Sequence, residues 1–388
     1  MATNPEAREE GGSEIRRPRG RTGGKLAYFV LGLAIGSLLG AGVYSAIAPR
    51  SSNATYCSVN QSVTLTGAGA TFPFPLVDKW RVEYNRRCPN VQINYQSIGS
   101  GGGIAQITVG TVDFGASDAP LNAAQRAAAP GLVHIPETIG AVVLAYRIPN
   151  VPGGLNFTGP IIAEIFLGNI TFWDDPKLIA LNPQTALTHD PIFVVHRSDG
   201  SGTTFVFTDY LSKVSPDWAN GPGKGTSVNW PVGLGAKGNE GVAGVIQGNA
   251  YSIGYVELAY GVIQRLTFGT VQNAAGNFVT PSLDSTRAAA ASAISLPAGH
   301  ASWEGVSITD PPGAESYPIS SLTYILIYQE QTDVVKGKVL VDFLWWAIHD
   351  GQQYSSALQY VPLPDNIVSL NEATLRSITH NGTPFLSG

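Results

Sequence analysis

Three segments of this chain set glycines beside hydroxyl side chains where a strand should give way to a helix. They are Gly67-Ala-Gly-Ala-Thr-Phe-Pro73, Gly99-Ser-Gly-Gly-Gly-Ile104 and Arg197-Ser-Asp-Gly-Ser-Gly-Thr-Thr204. The start of a helix leaves backbone N–H groups unpaired and carries about half a positive charge. It is therefore a ready seat for an anion. Glycine lets the backbone come close, and Ser or Thr adds a hydroxyl donor. One such turn is no more than a capped helix start, since Ser and Thr are favoured there anyway. Three in one chain, together with Arg197 and Asp118, point to an oxyanion. Competing chemistries lack their residues. There is no GxxxxGK[ST] phosphate loop, and Gly99 to Gly103 does not complete a dinucleotide G-x-G-x-x-G. Ser201 lacks the outer glycine of a G-x-S-x-G nucleophile turn, and the histidines are scattered without a visible partner for a serine. No Cys/His cluster has zinc spacing, so neither a metal nor another cofactor is expected.

The elements that must hold these turns alternate in type. Ser62–Thr66, Val91–Tyr95 and Asp113–Ala116 read as short strands, and Pro75–Arg87 as a helix with Leu76, Trp80 and Tyr84 on one face. The grammar then repeats. Ile161–Leu167 and Thr203–Leu211 read as helices, and Pro191–His196 and Gly254–Val256 as strands. A buried strand over Leu322–Tyr328 and an apolar helix over Lys336–His349 follow. Strand, turn, helix and strand at this spacing argue an α/β fold built on a parallel, doubly wound sheet.

Composition narrows the partners. Of 388 residues, 44% are apolar and 13% charged, enough to bury a sizeable core. Residues 51–388 hold 16 Lys/Arg against 24 Asp/Glu, so the body is acidic and nucleic acid is not an expected partner. A bound anion must be held by local groups rather than by the overall field. The stretch Leu26–Ala48 is 23 residues without a charge, long enough for a bilayer core of roughly 30 Å. Arg16, Arg17, Arg19, Arg21 and Lys25 precede it, which keeps the tail 1–25 in the cytoplasm and the body outside. Ala46-Ile47-Ala48 fits a cleavage pattern, but Pro49 follows at once. A single-pass transmembrane anchor, or an uncleaved signal, is expected over 26–48, with a polar stalk over 49–60. Cys57 and Cys88 are either a disulfide or two unrelated thiols.

Longer segments carry a family likeness. Thr66-Gly-Ala-Gly-Ala-Thr-Phe-Pro73, Ile98-Gly-Ser-Gly-Gly-Gly103, Val112-Asp-Phe-Gly-Ala-Ser-Asp-Ala-Pro120 and Arg197-Ser-Asp-Gly-Ser-Gly-Thr203 closely resemble the PstS family, the phosphate-binding proteins of ABC importers. The likeness continues through Gly168–Asp175, Trp230–Gly235, Gly238-Asn-Glu-Gly241 and Gly254–Glu257, and spans roughly residues 62 to 370. The resemblance implies a two-lobe periplasmic-binding-protein fold of type II. Each lobe would be a doubly wound mixed sheet with helices, and two hinge strands would cross between them. Val142–Ala145 and Tyr324–Ile327 suit those crossings. Residues 60–145 with 317–388 would form one lobe and 146–316 the other. In a parallel sheet Cys57 and Cys88 would both lie near the same edge, so a bond tying the stalk to the domain is geometrically reasonable.

Carried over motif by motif, Thr71, Phe72, Ser100 and Asp118 would bind phosphate from the first lobe. Arg197, Ser201, Gly202 and Thr203 would bind it from the second, and Asp199 would orient the Arg197 fork without touching the ligand. Read alone, Asp118 also suits a helix cap before Ala119-Pro120-Leu121, and Asp199 a plain turn. As an acceptor-only carboxylate, Asp118 would welcome phosphate, which still carries a proton near neutral pH, and repel sulfate, which carries none. The resemblance implies capture and delivery to permease subunits, with no enzymatic step. Two other functions share the motifs: an extracytoplasmic sensor or adhesion protein that keeps the fold, and a phosphatase. Gly101 stands where many relatives have a second serine, and the anchor replaces the family's free or lipidated form.

Overall fold

A computed structural model describes Cys57 and residues 59–386, apart from 152 and 292–294. The tail 1–25, the Leu26–Ala48 segment and most of the 49–60 stalk lie outside the described residues. Among the described residues no helix is long and apolar enough to cross a membrane.

In chain order the elements that carry the site are β1 (Val63–Gly69), α1 (Phe74–Arg87), β2 (Val91–Ser97), α2 (Ser100–Thr108), β3 (Phe114–Ser117) and β4 (Leu132–Arg147). There follow β5 (Phe193–Arg197), α3 (Gly202–Val214), β6 (Leu234–Ala236), α4 (Gly238–Gly248), β7 (Ser252–Glu257), β8 (Ser320–Tyr328) and α5 (Val334–Ile348). The strands lie in the order β2-β1-β3-β8-β4-β7-β5-β6. β1 runs parallel to β2 and β3, and β5 runs parallel to β6 and β7. β8 is antiparallel to β3 and β4, and β4 is antiparallel to β7, so the sheet is mixed rather than wholly parallel as the strand–helix spacing suggests.

Apolar periodicity explains why α1 forms where the sequence places it. Leu76, Val77, Trp80 and Tyr84 are its buried stripe. β4 is buried at every position from Leu132 to Tyr146, as expected of a strand covered on both faces. It is also the strand that joins the two halves of the sheet. Leu132 to Ala141 pair with β8, and from Val142 onward the partner is β7. At that point the Val142 N–H donates to the Ile319 carbonyl at 2.8 Å. The Tyr324–Ile327 stretch sits inside the first half, where Tyr324 pairs with both Ser117 and Pro136. The chain passes between halves a few residues earlier, next to Ile319. The β4–β8 ladder carries a bulge. Thr323 faces Thr138 and Tyr324 faces Pro136, leaving Glu137 as the extra residue. Proline, which has no N–H to give the ladder, is at home beside such a bulge.

The glycine-rich segment Gly67–Pro73 is partly strand. Pairing with β2 continues through Gly67↔Tyr95 to Gly69↔Ser97, and only Ala70 to Pro73 form the turn. Cys57 and Cys88 are joined in a disulfide, with Cα atoms 5.2 Å apart. The bridge ties the residues before β1 to the end of α1.

Candidate functional site

Strands β1, β3 and β5 all end at one place, and three helix starts face it. Ser100 is the first residue of α2, and Gly202 the first of α3. Ser201 caps α3, its Oγ accepting from the Thr204 N–H at 3.0 Å. Thr71 and Phe72 occupy the turn just before α1. A fourth helix start belongs to the same cluster: Gly238 and Asn239 open α4.

Two glycines are required by how closely these segments approach. Gly99 has φ +87, and a Cβ there would stand 2.5 Å from Asp199 Oδ2 and 2.6 Å from the Gly200 carbonyl. A Cβ on Gly202 would collide with Asp118 Oδ2 and Ser100 Oγ. Helix α3 therefore begins directly against the Asp118 carboxyl.

Arg197 ends β5 and its side chain is 1% exposed. Its Nε–H donates to Asp199 Oδ1 at 2.7 Å and Nη2 donates to Asp199 Oδ2 at 2.5 Å. Nη1 reaches Thr203 Oγ1 at 3.3 Å. Asp199 thus holds one edge of the guanidinium plane and turns the other toward Thr203. It also accepts from the Gly238 N–H at 3.1 Å. Burial pushes its carboxyl up, but the bonds and charge of Arg197 outweigh this and leave it below the ordinary range.

Asp118 follows β3 and is 1% exposed. Thr323 Oγ1 donates to its Oδ1 at 2.8 Å, and its own N–H donates to Ser100 Oγ at 3.2 Å. Oδ2 has no hydrogen-bond partner among the described residues. Burial pushes the carboxyl up to about 7, against the pull of the Thr323 bond, the Arg197 charge and the Ser100 hydroxyl.

Asn239 links the remaining groups. Its Nδ2 donates to Thr71 Oγ1 at 2.8 Å and to Thr203 Oγ1 at 3.1 Å, while its Oδ1 accepts from the Glu257 N–H at 2.9 Å. Tyr260 donates to the Thr71 carbonyl at 2.7 Å, and Tyr360 to the Phe72 carbonyl at 2.6 Å. The Gly101 N–H donates to the Gly200 carbonyl at 2.9 Å, so the two halves touch directly. Among the described residues no group of three or more His, Cys, Asp or Glu is placed to hold a metal ion.

All eight residues proposed from the sequence, Thr71, Phe72, Ser100, Asp118, Arg197, Ser201, Gly202 and Thr203, are buried and lie in this one cluster, with Asp199 beside Arg197. Four participants were not singled out from the sequence. Asn239 had a legible signal, a fourth glycine-then-polar helix start in Gly238-Asn-Glu-Gly241. Thr323, Tyr260 and Tyr360 had none, because each meets the site only through folding. Thr323 is 205 residues from Asp118 and Tyr360 is 288 from Phe72.

Residues 49–350 match a family description of the PBP superfamily domain. The phosphate-binding protein PstS of Xylella fastidiosa is 47% identical over 319 residues, covering 81% of this chain and 85% of that protein. The phosphate-binding protein PstS of Haemophilus influenzae is 46% identical over 315 residues, covering 80% and 91%. Among solved structures, a high-affinity periplasmic phosphate-binding protein (PfluDING) bound with phosphate superposes with TM-score 0.64 at 20% identity. The match covers 84% of this chain and 100% of that one. Fold and site together define an α/β binding protein of the periplasmic-binding-protein superfamily, with a mixed, curled sheet. Within that superfamily the chain belongs to the PstS family of phosphate-binding proteins.

Proposed function

We propose that this protein captures inorganic phosphate between its two halves and delivers it to the permease subunits of an ABC importer, without chemical turnover. The observation that carries this reading is the buried Asp118 carboxyl, with its partnerless Oδ2 set against the first residue of α3 in a cluster that includes Arg197. A protonated oxyanion supplies both what Asp118 needs, a donor, and what Arg197 and the helix starts need, acceptors. In this reading Thr71, Phe72 and Ser100 bind with Asp118 from one side. Arg197, Ser201, Gly202 and Thr203 bind from the other, and Asp199 aims Arg197. Residues 60–145 with 317–388 act as one lobe and 146–316 as the second. The change of partner within β4 after Ala141 supports a hinge there. Hinge closure around a ligand is the described motion of periplasmic binding proteins as a class. The body works on the extracytoplasmic side, and Leu26–Ala48 tethers it to the membrane, raising its concentration near the permease.

Isothermal titration of the full chain, freed of bound anion, tests the reading. Tight one-to-one binding of phosphate with much weaker binding of sulfate at neutral pH is expected. Equal binding of both anions overturns the role given to Asp118. Binding of neither overturns the phosphate assignment. For the tether, alkaline carbonate extraction of membranes is expected to leave the chain in the pellet. Its release would remove the membrane assignment.

A further inference from the structure

Behind Asp118 lies a second acidic residue that the binding site as described does not use. Glu137 is the extra residue of the β4 bulge, a place where strands re-aim a side chain. It is 2% exposed. The Thr323 hydroxyl stands between the two carboxyls, 2.8 Å from Asp118 Oδ1 and 3.3 Å from Glu137 Oε1. A threonine hydroxyl has one proton to give. It cannot fully satisfy two carboxylates at once, so the arrangement favours a proton of its own on one of the pair. The other Glu137 oxygen, Oε2, has no hydrogen-bond partner among the described residues. The space beside it is walled by Val77 and Trp80 of α1, Phe114 of β3 and Phe343 and Ala347 of α5. That apolar wall disfavours a charge on Glu137, whereas the Arg197 charge favours one on Asp118.

We propose that Glu137 is a positioning residue for anion binding: in its neutral form its O–H donates a hydrogen bond to the Thr323 hydroxyl oxygen, which turns the Thr323 O–H onto Asp118 and keeps Asp118 the charged acceptor. Loss of the Glu137 proton draws the hydroxyl back toward Glu137 and places a second negative charge behind the bound anion. The inference rests on the phosphate reading above and deepens it, since it states which protonation state of the protein binds. The titratable groups facing Glu137 are Asp118, after β3, and Tyr95 of β2, both of which it repels when charged. From α1 and α5 it meets only the apolar wall. Burial, reinforced by the Asp118 charge, pushes Glu137 up to about 8, which puts the switch on the alkaline side of neutrality. The sign follows. An anion arriving next to Asp118 raises the proton affinity of Glu137 further, so binding above that pH draws in a proton and weakens as pH rises.

The test measures phosphate affinity of the full chain from about pH 7 to about pH 9.5, where one unit of coupling between bound and unbound states gives about a tenfold fall. In Glu137→Gln, whose amide is a permanent donor to Thr323, the fall is expected to shrink to within about twofold, and buffer-dependent heats to show about one proton fewer taken up. Thr323→Val is expected to shrink the fall as well, and Thr323→Ser to restore it. A purely structural Glu137 would weaken binding equally at every pH. An alkaline fall as steep in Glu137→Gln as in the wild type overturns the inference. So does a wild type whose affinity is flat over this range, or a Thr323→Val profile identical to wild type. Failure of the wild type to bind phosphate near neutral pH would instead sink the functional reading, and this inference with it.

Discussion

In the proposed function Asp118 gathers most of the selectivity into one carboxyl, and its environment sets the condition under which that selectivity would work. With burial pushing it up to about 7, the group carries its charge fully only above neutrality. Below that it becomes a donor as well as an acceptor, and the penalty against a proton-free anion disappears. Discrimination against sulfate should therefore be strong near pH 8 and erode by pH 5, a trend that competition titrations at several pH values would reveal. Asp118→Asn, which carries a donor at every pH, is expected to bind sulfate with little pH dependence. Persistent rejection of sulfate by that variant would show that shape rather than charge excludes it. Arg197 makes the complementary case. Its removal deletes charge-assisted hydrogen bonds worth about 1.5–3 kcal/mol each, so Arg197→Ala should weaken phosphate at least about tenfold, and more if two bonds are lost. Titration calorimetry with an Asp199→Asn control separates loss of the fork from loss of its aim.

At the scale of elements, the site depends on how closely helix starts are packed together. Helix α3 can begin against Asp118 only because Gly202 has no side chain. If the two halves hinge as proposed, Gly202→Ala should abolish tight phosphate binding while leaving the melting temperature of the anion-free protein nearly unchanged, since the collision is with Asp118 and Ser100 on the other half. A variant that binds normally would mean the halves need not approach as closely as they do here. Asn239 shows the same logic from α4. It bonds Thr71 on one half and Thr203 on the other, and satisfies the buried Glu257 N–H. Asn239→Ala should cost about 1–3 kcal/mol of stability through that orphaned N–H, and weaken phosphate in addition. Denaturant unfolding with and without phosphate would separate the two losses.

Among the described residues of the whole molecule, several buried acids bear on stability. Asp118 and Glu137 are pushed up to about 7 and about 8, and burial raises Glu257 well above its ordinary range. For a group whose folded value is raised, the folded state binds more protons than the unfolded one between the two values. The anion-free protein should therefore lose stability as pH rises from about 4.5 to about 8, with melting temperature falling across that window. Asp199 and Asp209, which are lowered, act at more acid pH and do not cancel this. A flat melting profile from pH 5 to pH 8 would contradict the raised proton affinity of these three carboxyls. At the far end of β1 from the site, the Cys57–Cys88 bridge closes a span of 31 residues. Chain-entropy reasoning gives it about 3–4 kcal/mol, so reduction should lower the melting temperature without changing phosphate affinity.

Much of this was legible in the order of residues. The alternation of strand and helix, the apolar stripe of α1, and the convergence of glycine and hydroxyl at strand ends are all local, because backbone geometry and helix-start electrostatics act over a few residues. So are Arg197 and Asp199, two positions apart on one turn. The pairing of Cys57 with Cys88 is decided by tertiary proximity, which spacing in the chain does not carry. What local sequence could not disclose is which distant groups complete each local one: Thr323 on Asp118, Tyr360 on Phe72, Asn239 between Thr71 and Thr203, and Glu137 aimed by a bulge. These contacts arise from sheet order and from the register of β8 against β4. Burial, which no short segment carries in itself, then turns ordinary carboxyls into groups that hold their protons near neutrality.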